Sequence, residues 1–218
     1  MELAVHPSKR ELVRIYDTTA AYWDSFLQRG VYGYEYTRLF ADLRPRLWSA
    51  HTGNTIRVLD CGTGCGLLLS SLVRAMDGRP MELFGIDLSP RMLERARRRL
   101  TAQGLIPELC LADICSVPFR DGEMDLVVSA LVLEHVVEPV VALREMVRVA
   151  RPDARLVLVA TRPHAPDVPY QLIFRYRHFR DGQMQAWMGE AGIREVRPYP
   201  LAGIARWFGQ AFEGRKVE

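Results

Sequence analysis

An aspartate followed by three glycines at every second position, Asp60-Cys61-Gly62-Thr63-Gly64-Cys65-Gly66, is the stretch of this chain best suited to hold a ligand. Glycine lacks a Cβ and reaches positive φ. A loop rich in it turns sharply and lets a ligand lie on its backbone N–H groups. The run Ile56-Arg57-Val58-Leu59 before it reads as a buried strand, and Gly66-Leu67-Leu68-Leu69-Ser70-Ser71-Leu72-Val73 opens a helix. Strand, glycine loop and helix together aim backbone donors and a positive helix end at one spot. Spacing then separates the ligands such a loop could take. The dinucleotide fingerprint is G-x-G-x-x-G, whereas here the third glycine falls one residue early and Leu67 stands in its place. No Gly-Lys-Ser/Thr follows, which excludes a phosphate-binding P-loop. The competing explanation is a turn that only joins strand to helix.

Two further acids favour a ligand. Asp87 ends the apolar run Met81-Glu82-Leu83-Phe84-Gly85-Ile86, and Asp113 ends Leu109-Cys110-Leu111-Ala112. The intervals are 27 residues (60 to 87) and 26 residues (87 to 113), each the length of one strand–helix–strand unit. Three acids therefore fall at the carboxyl ends of three successive strands, the edge where open parallel sheets bind ligands. A carboxylate at the second strand end suits a bidentate hydrogen bond to ribose hydroxyls. A lone strand-end Asp is more often a helix cap, but three in register are not explained that way.

The elements that must position these residues follow from periodicity and punctuation. Ser8-Lys9-Arg10-Glu11 has the form of a capping box, and Leu12, Ile15, Tyr16, Thr19, Ala20, Trp23, Phe26 and Leu27 then recur at helical spacing. A second helical pattern, Tyr36, Leu39, Phe40, Leu43 and Leu47, is expected to bend or break at Pro45. His51 to Asn54 reads as a turn. Strands and helices alternate from residue 56 onward. Ser89-Pro90 starts a helix that Gly104 ends, Met124 to Ala130 is a fourth strand, Pro139 to Ala150 a helix and Leu156 to Ala160 a fifth strand. Residues 162–180 have no clear period. Asp181 is expected to cap a short helix ending at Gly192, and the last two strands are expected near 194–198 and 201–208. The pattern predicts an α/β fold: a doubly wound, mostly parallel sheet with helices on both faces. Residues 1–50 form an N-terminal helical cap and 51–218 the ligand-binding domain.

Composition narrows the function classes. The chain has 218 residues, 49 % of them hydrophobic, enough for one domain with a sizeable core. A net charge of +3 is too small to imply nucleic acid as a partner. Only Lys9 and Lys216 among the 29 basic residues are lysines. Arg95, Arg97, Arg98 and Arg99 sit on the polar side of the helix carrying Met92, Leu93, Ala96 and Leu100, and read as a solvated face. Cys61, Cys65, Cys110 and Cys115 have no nearby histidine at metal-ligand spacing and read as buried reduced thiols. No leader and no apolar run of membrane-spanning length are visible, so a soluble, cytoplasmic protein is expected.

In order and at matching spacing, residues from about 10 to 210 resemble the class I S-adenosylmethionine-dependent methyltransferases of small molecules, of the ubiquinone/menaquinone-biosynthesis type. The stretches are Tyr16-Asp17-x-x-Ala20-x-x-Trp23-Asp24, Val58 to Gly66, Gly85 to Leu93, Ala112-Asp113, Met124 to Ala130, Leu133-Glu134-His135, Glu145-x-x-Arg148-Val149-x-Arg151-Pro152, and Arg177 to Ile193. The resemblance implies a Rossmann-like, seven-stranded sheet and S-adenosylmethionine as cofactor. It further implies that Asp60, Gly62, Thr63, Gly64 and Gly66 hold the methionine part. Asp87 would take the ribose, and Leu88 and Met92 would line the adenine. Asp113 would accept from the adenine amino group with Ile114 packed on the ring, Ala130 would close the site, and Tyr16 and Trp23 would cover it from the first helix. Tyr16 and Trp23 also lie on the apolar stripe of that helix and could serve packing alone. The family has Pro-Gly-Gly before its fifth strand where this chain has Pro152-Asp153-Ala154. Asp tolerates the left-handed region better than most residues, so the turn can survive.

Methyl transfer from a sulfonium needs alignment and exclusion of water, and needs a base only when the acceptor loses a proton. His135, at the end of the fourth strand, is the first candidate base. His164, Tyr170, Tyr176 and His178 follow, with His178 better explained by a structural role. Tyr32, Tyr34, Tyr36, Phe40, Tyr170, Phe174 and Tyr176 in the cap elements suit a small acceptor that is aromatic or lipid-like. The alternatives are a protein of this fold that binds S-adenosylmethionine without transferring methyl, and a nicotinamide-dependent reductase, which the early third glycine disfavours.

Overall fold

The computed structural model of the chain describes residues 7–28, 31–49, 55–163, 165, 174, 178–180, 182–203 and 205–217, the side chains of 22–28, 31, 48 and 49 excepted. Helix α1, Lys9–Gln28, begins at the expected capping box. The Ser8 amide and hydroxyl both donate to Glu11 Oε2 at 2.8 Å, and the Glu11 amide donates back to Ser8 Oγ at 3.3 Å. Helix α2, Val31–Ser49, runs through Pro45 without interruption. Proline removes one helical hydrogen bond there, but Leu43 and Leu47 on either side are buried in the core and keep this stretch helical.

The sheet has seven strands: β1 Ile56–Cys61, β2 Met81–Asp87, β3 Glu108–Leu111, β4 Met124–Ala130, β5 Ala150–Thr161, β6 Ile193–Pro200 and β7 Gly209–Lys216. Their order is β3-β2-β1-β4-β5-β7-β6. The first five run parallel, β7 is antiparallel to β5, and β6 is antiparallel to β7. This is the Rossmann-like arrangement expected. From β1 the chain first builds outward through β2 and β3, then returns to β4 on the other side. The crevice between the carboxyl ends of β1 and β4 is therefore the topological switch point.

Helices α3 Leu67–Ala75, α4 Pro90–Thr101, α5 Pro139–Val149 and α6 Gln183–Glu190 cover the sheet. Alternation along each strand divides the core between two faces. Val58, Leu126, Val128, Val157 and Val159 pack with α2 and α3. Leu59, Val127, Leu156 and Leu158 pack with α5 and α6. Ser89 caps α4 by accepting from the Met92 amide at 3.1 Å, with Pro90 in the first turn. Arg97 and Arg98 are exposed on α4 as expected, while Arg95 and Arg99 are half-buried. Asp153 adopts φ 65°, so an aspartate does supply the left-handed turn residue inside β5.

Three expectations need correction. The last strand lies at 209–216, not 201–208, where a turn of 3-10 helix, Ala205–Trp207, stands instead. Its charged residues disguised it: Glu213 is fully buried, and Arg155 on β5 neutralises it at 2.7 Å. The N-cap of α6 is Gly182, at φ 73°, without a side-chain cap. Asp181 and the 51–54 turn lie outside the described residues. Cys61 and Cys65 are buried thiols, but Cys110 and Cys115 are only half-buried.

Candidate active site

A cavity of about 440 Å³ opens at the switch point. Its floor is the loop after β1. Gly62 has φ 77°, and a Cβ there would come within 2.3 Å of Val132, so any other residue would push the loop off the β4 side of the crevice. The Gly62 and Thr63 amides both donate to the Ile86 carbonyl, at 2.8 and 2.9 Å, tying this loop to β2. Gly66 does not line the cavity. It is the N-cap of α3 at φ 76°, and a Cβ there would lie 3.1 Å from Ala96, so it lets α3 start against α4.

Asp60 stands on the cavity wall with 1 % of its surface exposed. Among the described residues neither carboxylate oxygen meets a partner in full hydrogen-bonding geometry, although the Thr63 hydroxyl lies close enough to stabilise its charge. Burial pushes its pKa up to about 7, with the nearby Thr63 hydroxyl offsetting part of the rise and the Asp87 charge adding to it. A buried carboxylate without a partner costs free energy. Facing a cavity, it marks where a cationic or N–H donor group of a ligand fits.

Asp87 is held differently. Its Oδ2 accepts from the Gly64 amide and its Oδ1 from the Ser89 amide, both at 2.8 Å. These bonds fix the carboxylate toward the cavity and leave each oxygen a further lone pair for hydroxyl donors. Burial raises its pKa despite them. Leu88 and Met92 continue this wall. After β3, Asp113 Oδ1 accepts from the Cys115 amide at 2.9 Å, and Ile114 is buried beside it. Lys9 of α1 forms an ion pair with Asp113 Oδ2, and this holds the Asp113 pKa below its ordinary value against the opposing effect of burial.

The loop after β4 supplies the opposite wall. Ala130 lines the cavity and Leu131 follows at φ 57°, a conformation that costs a non-glycine residue strain. The Leu131 amide donates to the Val159 carbonyl at 2.8 Å. Glu134, 1 % exposed, accepts from the Thr161 amide at 2.5 Å. These two bonds to β5 fix the short 3-10 helix Leu133–His135. His135 thereby faces the cavity, where its Nε2 lies 2.7 Å from the Tyr16 hydroxyl. The rings meet edge to face at 5.4 Å, and Phe174 packs on the Tyr16 ring at 5.5 Å. Burial, with the Glu134 and Asp87 charges, holds the Tyr16 hydroxyl well above its ordinary pKa. It stays protonated within its hydrogen bond to His135 Nε2.

Of the residues the sequence singled out, Tyr16, Asp60, Gly62, Thr63, Gly64, Asp87, Leu88, Met92, Asp113, Ile114, Ala130 and His135 all line this one cavity. Trp23 lies in α1 but its side chain is not among those described, and His164, Tyr170 and Tyr176 lie outside the described residues. His178 is described and does not line the cavity. Sequence reasoning missed Lys9, Leu12 and Val13. They share a helix face with Tyr16 by the i, i+3, i+4, i+7 rule, which was a usable signal. It also missed the valines around His135, namely Val132, Val136, Val137 and Val141, which no periodicity announced.

A methyltransferase-domain family model matches residues 59–158. A demethylmenaquinone methyltransferase of Thermus thermophilus is 36 % identical over 119 residues, covering 55 % of this chain and 53 % of the relative. An uncharacterized protein of Mycobacterium tuberculosis is 31 % identical over 207 residues, covering 85 % of this chain and 74 % of the relative. Among solved structures, a [4+2]-cyclase superposes with a TM-score of 0.75 at 18 % identity, over 97 % of both chains; at that identity the likeness concerns the fold. The chain spans about half, or less, of the length of the first curated relatives it matches. Sheet order, glycine loop and strand-end acids agree with these matches: the chain belongs to the class I S-adenosylmethionine-dependent methyltransferases. S-adenosylmethionine is the cofactor of that family, and the buried Asp60 carboxylate on the cavity wall fits its α-ammonium group.

Proposed function

We propose that this protein transfers the methyl group of S-adenosylmethionine to a small, apolar, uncharged acceptor. The observation that carries the reading is Asp60: a buried carboxylate with no full hydrogen bond among the described residues, on the wall of the cavity that the other strand-end acids also line. S-adenosylmethionine, when bound, supplies a methyl group already activated on a sulfonium. The chain's own residues bind, orient and exclude water. Asp60 takes the α-ammonium and the amides of the glycine loop approach the methionine part. Asp87 accepts from the ribose hydroxyls, and Asp113 from the adenine amino group, with Leu88, Met92 and Ile114 against the ring. Gly66 supports this set through the α3–α4 contact. Tyr16 and Phe174 close the site from above.

The acceptor side is written in Leu12, Val13, Val132, Val136 and Val141. Among the described residues the sole permanent cation lining the cavity is Lys9, and Asp113 neutralises it. An anionic acceptor would find no buried cation in such a site, since the Lys9 side chain is largely in solvent. An acceptor hydroxyl or amine gives its proton to the Tyr16 oxygen as the Tyr16 proton passes to His135 Nε2, leaving a phenol and an imidazolium. Small apolar acceptors also agree with the demethylmenaquinone methyltransferase name of the Thermus relative.

Titration calorimetry with S-adenosylhomocysteine, with NAD in parallel, tests the cofactor. Labelled S-adenosylmethionine with a panel of apolar phenols, alcohols and amines then tests transfer. Micromolar binding of S-adenosylhomocysteine alone, and label in an apolar product, are expected. Tight binding without turnover on any acceptor would move the protein to the alternative class that binds the cofactor without transferring methyl.

A further inference from the structure

Lys9 lies where no role has been assigned. It opens α1 directly after the capping residue Ser8, so the Ser8–Glu11 box that fixes the first turn also fixes where its side chain starts. From there its ammonium reaches across the cavity rim to Asp113 Oδ2. The other Asp113 oxygen is engaged by the Cys115 amide. On the reading proposed above, Asp113 is the group that accepts from the adenine amino group. An ammonium and an amino group are both N–H donors, and both are directed to one carboxylate.

We infer that Lys9 is an internal competitor for the adenine subsite, holding Asp113 when the cofactor is absent and giving it up when adenine enters. α1 is fastened to two further ligand loops by contacts that do not involve Asp113. Ser89 Oγ donates to Asp17 Oδ1 at 2.5 Å, and the Tyr16 hydroxyl is hydrogen-bonded to His135 Nε2 at 2.7 Å. The helix therefore remains in place while its first residue changes partner. The Lys9 side chain is 69 % exposed and that of Asp113 22 %, so the released ammonium passes straight into water. The exchange makes binding weaker than the site alone would give. It also makes departure of the used cofactor faster, because Lys9 recaptures Asp113 as adenine leaves.

The test compares wild type, Lys9→Met and Lys9→Arg by calorimetry and stopped-flow with S-adenosylhomocysteine, at low and high sodium chloride. Removing a half-exposed ion pair is worth a factor of about two to five. Lys9→Met is expected to bind that much tighter, mainly through slower dissociation, and Lys9→Arg to follow wild type. The gap between wild type and Lys9→Met should narrow in high salt, which screens the competing pair. The 6-oxo counterpart of S-adenosylhomocysteine lacks the amino group, and Lys9→Met should not improve its binding. Equal or weaker binding of S-adenosylhomocysteine by Lys9→Met would overturn the inference and leave Lys9 as a clasp or a bystander. Failure of the wild type to bind S-adenosylhomocysteine at all would instead remove the cofactor reading beneath it.

Discussion

Asp60 shows how one carboxylate couples proton, ligand and stability. Its pKa is about 7 in the folded, empty protein against 3.8 ordinarily, because burial disfavours the charge. Between those two values the folded chain binds more protons than the unfolded one, so stability falls as pH rises through that window. Thermal scans of the empty protein should show a melting temperature that declines from pH 5 to pH 8, and Asp60→Asn should flatten that decline. Ligand affinity runs the opposite way, since an α-ammonium group is attracted to the ionised form. Affinity for S-adenosylhomocysteine should fall as pH drops below about 7, and the same variant should bind weakly at every pH. Asp87, Cys61 and Tyr36 share the electrostatic neighbourhood of Asp60. The shape of the titration therefore belongs to that group, and its direction to Asp60. For the Tyr16–His135 pair the prediction concerns rate. With a hydroxyl or amine acceptor, His135→Ala should lower turnover by a factor of about 10² or more. Binding of S-adenosylhomocysteine should change less than twofold, which separates a proton acceptor from a packing residue. At this scale the sequence was legible where residues mark a local pattern: each acid closes its own strand. It was silent on partners far apart in the chain. Tyr16 and His135 are 119 residues apart, and nothing local in either announces their contact.

At the level of elements, the Glu145-x-x-Arg148 stretch resolves into a staple. Arg148 donates to Glu145 and Asp121 and to the carbonyls of Val117 and Phe119, each at 2.8 Å, while Glu145 accepts from the Val117 amide at 2.9 Å. The connection from β3 to β4 is thus pinned to α5. Arg148→Met should cost about 2–3 kcal/mol. That lowers the melting temperature by roughly 4–12 °C for a chain of this size. Affinity for S-adenosylhomocysteine at 25 °C should stay unchanged, because the staple lies away from the cavity. A loss of affinity would mean that the pinned connection also shapes the adenine wall. Most elements could be read from the chain because their signals are local: the capping box of α1, Ser89-Pro90 before α4, glycines at turns. The failures came where tertiary packing overrides local rules. α2 tolerates Pro45 because leucines on both sides are buried, and β7 is a strand although its sequence is charged, because Arg155 meets Glu213 across the ladder.

For the whole molecule, the carboxyl end of the sheet carries the cavity while the other end is laced by ion pairs. Arg57 bridges Glu82 at 3.2 Å and Glu123 at 2.9 Å, and Arg151 meets Asp125 at 2.7 Å. The family model covers 59–158, which contains the glycine loop, all three acids and His135, but neither α1 nor α2. Strand alternation made this central body legible. The cap was legible as helices, yet which of their faces would meet the ligand depended on how they pack across the crevice.

That boundary has a consequence for inheritance. On the proposed reading the cofactor residues Asp60, Asp87 and Asp113 fall within that body, whereas Leu12 and Val13, one part of the acceptor side, come from α1 outside it. On that reading a lineage can rewrite Leu12 and Val13 without altering Asp60, the glycine loop or Asp87. Part of the acceptor preference can then drift in one helix, on a body that keeps its first chemistry.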